Sequence, residues 1–328
     1  MILTVTLNAA IDKTLAVPNF RLGRRHRSVE QTSMAGGKGV NVARALKTLG
    51  QPVIATGVAG GATGTRITEL LTEEGILTDF VRIHGESRTS TAVIDPMSGE
   101  QTEINERGPE ISARELEMFV DKLLYLARGA DICVFSGSLP RGLDAGLYAS
   151  LITEVRKLDV TTVLDSEGDA LRLGMKAEPT VVTPNEIEAE EFVGREFADE
   201  HDRLVAAREI VALGAKEAML TMASGCVALM GDTEPQLYRA TLPPVEPVST
   251  VGSGDAFLAG YLAARYSGGD AEAGLRFAVA CGAQSTQHFG AGVLDPREVE
   301  RIAPSVTVER LDLERAGAGP SGRTVRSS

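Results

Sequence analysis

The order of apolar and polar positions predicts short strands that alternate with amphipathic helices along most of this chain. Short apolar runs bounded by Gly, Pro or Asp are typical of buried strands, and the predicted strands are Ile2–Leu7, Val53–Val58, Ile132–Ser136, Thr161–Asp165, Thr180–Thr183 and Ala218–Thr221. Apolar positions at helical spacing predict helices over Asn41–Leu49, Thr65–Glu74, Ala113–Ala127, Ala145–Leu158 and Arg203–Leu213. Because alternating strands and helices form parallel sheets covered on both faces, the pattern predicts an α/β fold.

Two stretches interrupt this alternation. Residues 14–34 contain short β-like pieces, and residues 90–104 are typical of a hairpin that turns at Pro96-Met97-Ser98-Gly99. Together these stretches predict a small separate sheet. The last residues are rich in Gly, Ser and Ala, and we expect them to be disordered.

Several polar or glycine residues lie at or just beyond the ends of the predicted strands. They are Asn8, Gly137, Asp165 and Asn185. Because ligands of parallel sheets bind at the carboxyl ends of the strands, we expect these distant residues to converge on one site.

Composition narrows the class of protein. The chain has 328 residues, 43% of them hydrophobic, and a formal net charge of −12. An acidic surface disfavours nucleic-acid binding, and no apolar run is long enough to span a bilayer. The chain begins with a strand rather than a charged leader, so we expect no signal peptide. Three well-separated cysteines fit a reducing compartment, and we expect a cytoplasmic protein that binds neither nucleic acid nor membranes.

The stretch from Ser249 to Gly260 predicts a tight loop that leads into a helix. Gly252 and Gly254 permit backbone conformations that side chains forbid, and the N–H groups at a helix N-terminus attract an anion. Asp255 cannot itself ligate that anion, since like charges repel. It is either a base beside a bound phosphate or a cap of the helix, and this loop alone leaves both readings open.

A second glycine-rich loop, from Ala35 to Ala43, also opens a helix and carries Lys38. No Ser or Thr follows the lysine, so the loop is not a Walker P-loop. The first strand is also not followed by a dinucleotide-binding G-x-G-x-x-G pattern. Lys38 either meets a second anionic group or is a solvated lysine at a plain turn.

Together the two loops resemble the ribokinase-like sugar kinases, in particular the phosphofructokinase B branch. The matching segments are Gly36–Gly60, Ser249–Leu262, Thr6–Asp12, Ser136–Pro140 and Thr183–Glu188. The segments Gly85–Arg88 and Glu103–Glu110 are most similar to tagatose-6-phosphate kinases and 1-phosphofructokinases. The resemblance implies a three-layer α/β/α sandwich over residues 1–312 with a small β-sheet lid from about 12–34 and 88–106, a disordered tail over 313–328, and a homodimer formed through the lid.

The resemblance also implies a reaction. We expect ATP-dependent phosphorylation of a ketohexose monophosphate, with fructose 1-phosphate, converted to fructose 1,6-bisphosphate, ranked before tagatose 6-phosphate and fructose 6-phosphate. A nicotinamide oxidoreductase would fit the same alternation, but the dinucleotide pattern is missing. A sugar-phosphate sensor without catalysis is disfavoured by the intact Gly252, Gly254 and Asp255.

For catalysis, the resemblance implies that Asp255 accepts the proton of the attacking sugar hydroxyl. The N–H groups of Gly252, Ser253 and Gly254 would stabilise the charge that builds on the transferred phosphoryl group.

For the sugar, the resemblance implies that Asp12 accepts a hydrogen bond from a sugar hydroxyl. It also implies that Lys38, Arg88 and Arg27 bind the phosphate already present on the substrate. A guanidinium fits a phosphate bidentately. Each of these cations alone is more often an ordinary solvated surface charge, so the assignment rests on their joint placement. The other expected sugar contacts are Gly37, Gly39, Asn41 and Ser138.

For ATP and Mg²⁺, the resemblance implies that Asn185 and Glu188 organise the metal, mostly through water. The same two residues also predict a helix start with a capping box. The expected nucleotide contacts are Asn185, Thr221, Ser224, Gly225 and Gly254. The loop over residues 221–226 departs from the family's usual Ser-Leu-Gly pattern, so the preferred nucleotide stays open.

Overall fold

Strands and helices alternate through most of the chain, as the hydrophobic pattern predicts. The computed structural model describes residues 1–231 and 234–313. The strands in this part are β1 Ile2–Thr6, β2 Ala10–Ala16, β3 Glu30–Gly36, β4 Val53–Gly60, β5 Leu77–Ile83, β6 Arg88–Ile94, β7 Gln101–Asn105, β8 Ile132–Ser136, β9 Thr161–Asp165, β10 Val181–Val182, β11 Glu217–Met222, β12 Gly225–Met230, β13 Gln236–Thr241 and β14 Thr307–Leu311. The α-helices are α1 Lys38–Thr48, α2 Gly61–Glu73, α3 Ala113–Ala127, α4 Leu147–Arg156, α5 Gly168–Gly174, α6 Glu186–Val193, α7 Glu200–Ala212, α8 Ser253–Tyr266, α9 Ala271–Ser285 and α10 Pro296–Ile302.

Ten strands form one central sheet in the order β14-β13-β12-β11-β10-β9-β8-β1-β4-β5. The strands from β11 to β5 in that order are parallel, whereas β12, β13 and β14 are added antiparallel at one edge. Successive side chains of a strand point to opposite faces, so Ile2 and Leu3 of β1 enter different apolar layers. Helices α1, α2, α8, α9 and α10 cover one face, and α3 to α7 cover the other. The predicted three-layer α/β/α sandwich is confirmed.

The predicted helices form, with shifted starts that local hydrogen bonds explain. Helix α2 begins at Gly61 instead of Thr65, because the carboxylate of Glu86 accepts the N–H groups of Ala62 and Thr63. Helix α4 begins at Leu147 because the carboxylate of Asp144 accepts the Gly146 N–H and holds a turn before it. Neither carboxylate is recognisable from apolar periodicity.

The apolar pattern did not predict β5 or the three antiparallel edge strands β12, β13 and β14. Strand β12 has a buried apolar run, Cys226–Met230, which is the signal that would have predicted it. The adjacent loop over residues 221–226 was interpreted only as a nucleotide loop, although Thr221 and Met222 already pair with Cys226 and Gly225.

The interrupting stretches form a second, four-stranded sheet in the order β3-β2-β6-β7. Strand β2 lies parallel to β6, from the pair Ala10 and Arg88 to the pair Ala16 and Ile94, and antiparallel to β3. The predicted small separate sheet is therefore confirmed, and it is called the lid below. The predicted tail over residues 313–328 lies outside the described residues, apart from Leu313. In the part of the chain that is described, no helix has the length and apolarity needed to cross a membrane.

Candidate active site

The glycine loop before α8 places Asp255 at the buried start of that helix. Gly252 has a φ of 76°, and a Cβ there would lie 2.5 Å from the Cβ of Ala291, so the turn requires glycine on both counts. Asp255 is the third residue of α8 and is 5% exposed. The first N–H groups of a helix have no partner within it, so this turn presents backbone donors beside a buried carboxylate.

Asp255 is held by a side chain of α1. The Nδ2 of Asn41 donates to the Oδ2 of Asp255 at 2.8 Å. Burial and the nearby Asp165 raise the pKa of Asp255 to about 7, against the opposing effects of Lys38 and the Asn41 hydrogen bond. A carboxyl with a pKa near neutrality is suited to accept a proton at physiological pH. Asn41 was expected to contact the sugar, and here it orients the candidate base.

Lys38, the first residue of α1, lies between two acidic side chains. Its Nζ is 3.2 Å from Oδ1 of Asp165 and 3.3 Å from Oε1 of Glu188. Burial alone would lower the pKa of Lys38, but the charges of Asp165, Glu188 and Asp255 outweigh it and raise the pKa. The ammonium is therefore charged, and it is paired with these two carboxylates. Asp165 had no predicted role, although its place at the end of β9 was the signal for one.

A cavity of about 390 Å³ lies beside this cluster, between the lid and the ends of β1 and β8. Four cationic side chains line it: Lys38, Arg88, Arg107 and Arg141. Nε of Arg88 donates to the Asn8 carbonyl at 3.1 Å, and Nε of Arg141 donates to the Gly108 carbonyl at 3.1 Å. These hydrogen bonds hold the guanidinium groups of Arg88 and Arg141 at the wall of the cavity. Sequence reasoning found Lys38 and Arg88 but missed Arg107 and Arg141.

Arg27 does not line this cavity. It is exposed in the loop that joins β2 to β3. The structure therefore brings together only two of the three cations predicted to clamp a phosphate.

Three buried oxygen atoms at the cavity have no hydrogen-bond partner among the described residues: Oγ1 of Thr6, Oδ1 of Asn8 and Oγ of Ser136. Nδ2 of Asn8 does donate to Oγ of Ser138 at 3.1 Å, so Ser138 also lies at this wall. A buried polar atom without a partner is unfavourable. The cavity is therefore suited to a ligand that carries hydroxyl groups.

Asp12 lies on β2, beside the first glycine loop. A Cβ on Gly36 would lie 2.0 Å from Oδ2 of Asp12, so only glycine permits this approach. Burial raises the pKa of Asp12, while Arg88, Arg44 and the N–H of Gly37 oppose that shift. Two further glycines of this loop were predicted to contact the sugar. Gly37 lines the cationic cavity, and Gly39 packs against Thr6.

A larger cavity of about 770 Å³ lies at the N-terminus of α8. All five predicted nucleotide contacts line it: Asn185, Thr221, Ser224, Gly225 and Gly254. Apolar residues that sequence reasoning missed form the rest of its wall, among them Ile187, Leu242, Pro243, Val245, Phe257 and Val279. Ser253 and Gly254 line this cavity, whereas Lys38, whose charge acts on Asp255, lines the cationic cavity.

Residues 4–297 match the model of the pfkB family of carbohydrate kinases. This chain belongs to that family. It is 35% identical over 262 residues to the tagatose-6-phosphate kinase of Staphylococcus epidermidis, covering 79% of this chain and 84% of the relative. It is 30% identical to the 1-phosphofructokinase of Borreliella burgdorferi, covering 95% of this chain and 99% of the relative.

A solved structure of similar fold is also a phosphofructokinase. Phosphofructokinase-2 of Escherichia coli in complex with substrates and products superposes with a TM-score of 0.86 at 30% identity, covering 92% of this chain and 98% of that one. The same enzyme has also been solved in a tetrameric inhibited form. The ribokinase-like fold that the two glycine loops predict is therefore confirmed.

Sugar kinases of the pfkB family use ATP with a divalent metal, and the oxygen donors here fit such a cation. Asn185 and Glu188 form the predicted capping box at α6, with two bonds of 2.9 Å, and the other Glu188 oxygen accepts from Lys38. Over residues 1–231 and 234–313, no group of three or more His, Cys, Asp or Glu side chains is placed to hold a metal ion. Since Mg²⁺ usually keeps several waters, contact through water suits this arrangement.

Proposed function

We propose that this kinase transfers the γ-phosphoryl group of ATP to a ketohexose monophosphate and forms the bisphosphate. One observation carries the proposal: Asp255 follows Ser253 and Gly254, which line a larger cavity with apolar walls, and is acted on by Lys38, which lines a polar, cationic cavity. The cationic cavity suits a sugar phosphate, and the larger cavity suits a nucleotide base and ribose. The names of two relatives, a tagatose-6-phosphate kinase and a 1-phosphofructokinase, support a ketohexose phosphate as acceptor.

In the proposed reaction Asp255 accepts the proton of the attacking sugar hydroxyl through its Oδ1, since Asn41 holds Oδ2. The hydroxyl oxygen then attacks the γ-phosphorus, and the bond to the β–γ bridging oxygen breaks. The N–H groups of Gly252, Ser253 and Gly254 stabilise the negative charge that builds on the phosphoryl oxygens. Lys38 lies close enough to influence Asp255 and lines the sugar cavity, so it adds positive charge at the transfer point.

The proposed nucleotide contacts are those that line the larger cavity: Asn185, Thr221, Ser224, Gly225 and Gly254. A bound Mg²⁺ would neutralise charge on the nucleotide phosphates. Glu188 and Asn185 would hold it through water, and Asp165, which shares Lys38 with Glu188, would add a third oxygen donor. The ammonium of Lys38 forms ion pairs with the carboxylates of Asp165 and Glu188.

The proposed phosphate clamp consists of Arg88, Arg107 and Arg141, with Lys38 at its inner end. Arg27 would join it only if the loop between β2 and β3 moved. The orphaned oxygens of Thr6, Asn8 and Ser136 would bind sugar hydroxyls. We rank fructose 1-phosphate first, tagatose 6-phosphate second and fructose 6-phosphate third.

The test is ADP release from ATP and Mg²⁺ with a panel of the three ketohexose phosphates and unphosphorylated fructose. We expect fast turnover of at least one phosphorylated ketose and very slow turnover of fructose. Ligand binding without ADP release would instead indicate a sensor and refute the kinase proposal. A clear preference for tagatose 6-phosphate would overturn the substrate ranking alone.

We also propose that residues 1–312 form one cytoplasmic kinase domain that dimerises through the lid. Large apolar side chains are exposed on or beside the lid strands: Leu22, Val29, Met97 and Ile104. The three cysteines are buried and unpaired, which supports a reducing compartment. Sedimentation should give a dimer that Ile104→Lys weakens, and a monomeric wild type at micromolar concentration would refute the lid contact.

A further inference from the structure

Arg44 is a buried cation whose hydrogen bonds connect four parts of the fold around the candidate base. It lies on α1, one turn after Asn41, and is 6% exposed. Its guanidinium makes two bonds to the carboxylate of Glu74, at 2.6 and 3.0 Å. It also donates to the carbonyls of Ala35 at 2.5 Å and Ala291 at 3.0 Å. The partly buried ion pair with Glu74 explains why the charge of Arg44 is tolerated. It does not explain a further hydrogen bond, from Arg44 to the side chain of Asn41.

That further hydrogen bond leads to the candidate site. Nη1 of Arg44 donates to Oδ1 of Asn41 at 3.2 Å, and Nδ2 of Asn41 donates to Asp255 at 2.8 Å. A guanidinium has donors only, so the side of the Asn41 amide that faces it must be the oxygen. The NH₂ group must then face Asp255. Without Arg44, the amide would be free to turn its oxygen toward the carboxylate, where the two would repel.

The loop that Arg44 holds through Ala291 also touches the glycine turn. A Cβ on Gly252 would lie 2.5 Å from the Cβ of Ala291. The neighbouring Gly292 packs on the backbone of Asn41, because a Cβ there would lie 2.3 Å from the Asn41 carbonyl oxygen. Arg44 therefore braces both the amide that binds Asp255 and the loop that supports its turn.

We propose that Arg44 is a positioning residue for phosphoryl transfer, which fixes the orientation of the Asn41 amide and thereby presents Asp255 to the sugar hydroxyl. This inference rests on the proposed role of Asp255 as the base. The charged groups that act on Asp255 are Asp165 from β9, Lys38 from α1 and Asp12 from β2. Arg44 acts through Asn41, so its removal should weaken the hydrogen bond that lowers the pKa of Asp255.

The test compares Arg44→Gln with Lys47→Gln, which makes the same change of charge at an exposed position of α1. The pKa of Asp255 is read in the ligand-free protein from the carboxyl ¹³C shift, and kcat/KM is followed between pH 5.5 and 9. In Arg44→Gln we expect the pKa to rise by about half to one unit, which lowers kcat/KM up to about tenfold at pH 5.5 and little at pH 9. Lys47→Gln should shift neither. The substrates also titrate in this pH range, but their effect on kcat/KM is the same for every variant and cancels in the ratio of variant to wild type.

A double-mutant cycle separates positioning from general loosening. In an Asn41→Ala background, Arg44→Gln should cause no further rise in the pKa of Asp255. An equal shift in both backgrounds, or a loss of kcat/KM by the same factor at every pH, would overturn the proposal.

Arg44→Lys serves if the glutamine variant does not fold, since one ammonium cannot reach Glu74 and Asn41 together, and the same shift is expected. The base role is tested separately. If Asp255→Asn keeps its turnover, the proposed function fails. If Asp255→Asn is inactive and the Arg44 variants leave the pKa of Asp255 unchanged, only the present inference fails.

Discussion

Replacing Asp255 by Asn should abolish turnover and at the same time stabilise the fold. The two side chains have nearly the same shape, and the amide oxygen of the substituted asparagine can still accept the N–H of Asn41 that now reaches Asp255 at 2.8 Å. The geometry of the glycine turn is therefore kept while the proton acceptor is lost. We expect kcat to fall by about a hundredfold or more, as for the loss of a positioned general base. The KM for the sugar phosphate should change little.

The stability gain follows from the sign of the pKa shift of Asp255. Its pKa is raised from 3.8 to about 7 in the folded protein, so the folded state holds its proton more strongly than the unfolded chain. Stability therefore falls as the pH rises from about 4 to 7, and the full loss is present above pH 7. A shift of about three units corresponds to a loss on the order of 4 kcal/mol. Asparagine does not ionise, so Asp255→Asn removes this loss.

The assay is urea unfolding of the ligand-free wild type and Asp255→Asn at pH 5 and pH 8, beside turnover at pH 7.5. The stability advantage of the variant should be larger at pH 8 than at pH 5. Asp121→Asn makes the same chemical change on the exposed side of α3 and should alter neither stability nor turnover. Near-normal turnover in Asp255→Asn would refute the base role, and a variant less stable than wild type at pH 8 would refute the electrostatic reasoning.

Four further substitutions test the surrounding site. Lys38→Met should lower kcat by about tenfold or more, because it leaves the carboxylates of Asp165 and Glu188 without their shared cation; an effect confined to the KM for sugar phosphate would contradict this. Arg88→Ala and Arg141→Ala should each raise that KM about tenfold or more, as for a lost charge-assisted hydrogen bond, and leave the KM for ATP unchanged. Thr6→Val should raise the Tm of the ligand-free protein, since the Thr6 hydroxyl has no partner among the described residues, and should weaken sugar-phosphate binding in calorimetry. Unchanged sugar affinity in Thr6→Val would show that this hydroxyl does not face the substrate.

Local sequence determines the alternating elements and the two glycine turns. The periods of apolar residues decide strand or helix with little help from distant residues, and both turns depend on glycine at particular positions, as the positive φ angles of Gly252 and Gly37 show. Once a parallel sheet is predicted, the carboxyl ends of its strands must share one edge. That is why Asn8, Gly137 and Asp165 could be assigned to one region before the structure was known. The edge strands β13 and β14 were not predicted because their pairing depends on neighbours that the local pattern does not identify, whereas the apolar run of β12 was a local signal.

Tertiary structure alone decided which polar side chains meet. Long charged side chains select partners by distance in space, and apolar periodicity carries no information about that distance. Lys38 was recognised as a cation at a helix start, but only the fold placed it between Asp165 and Glu188. The sequence predicted Arg27 and not Arg141 as part of the clamp, yet of the two only Arg141 lines the cavity. The connection from Arg44 through Asn41 to Asp255 spans 214 positions between its last two members, and it exists only because the packing of α1 on α8 brings them together.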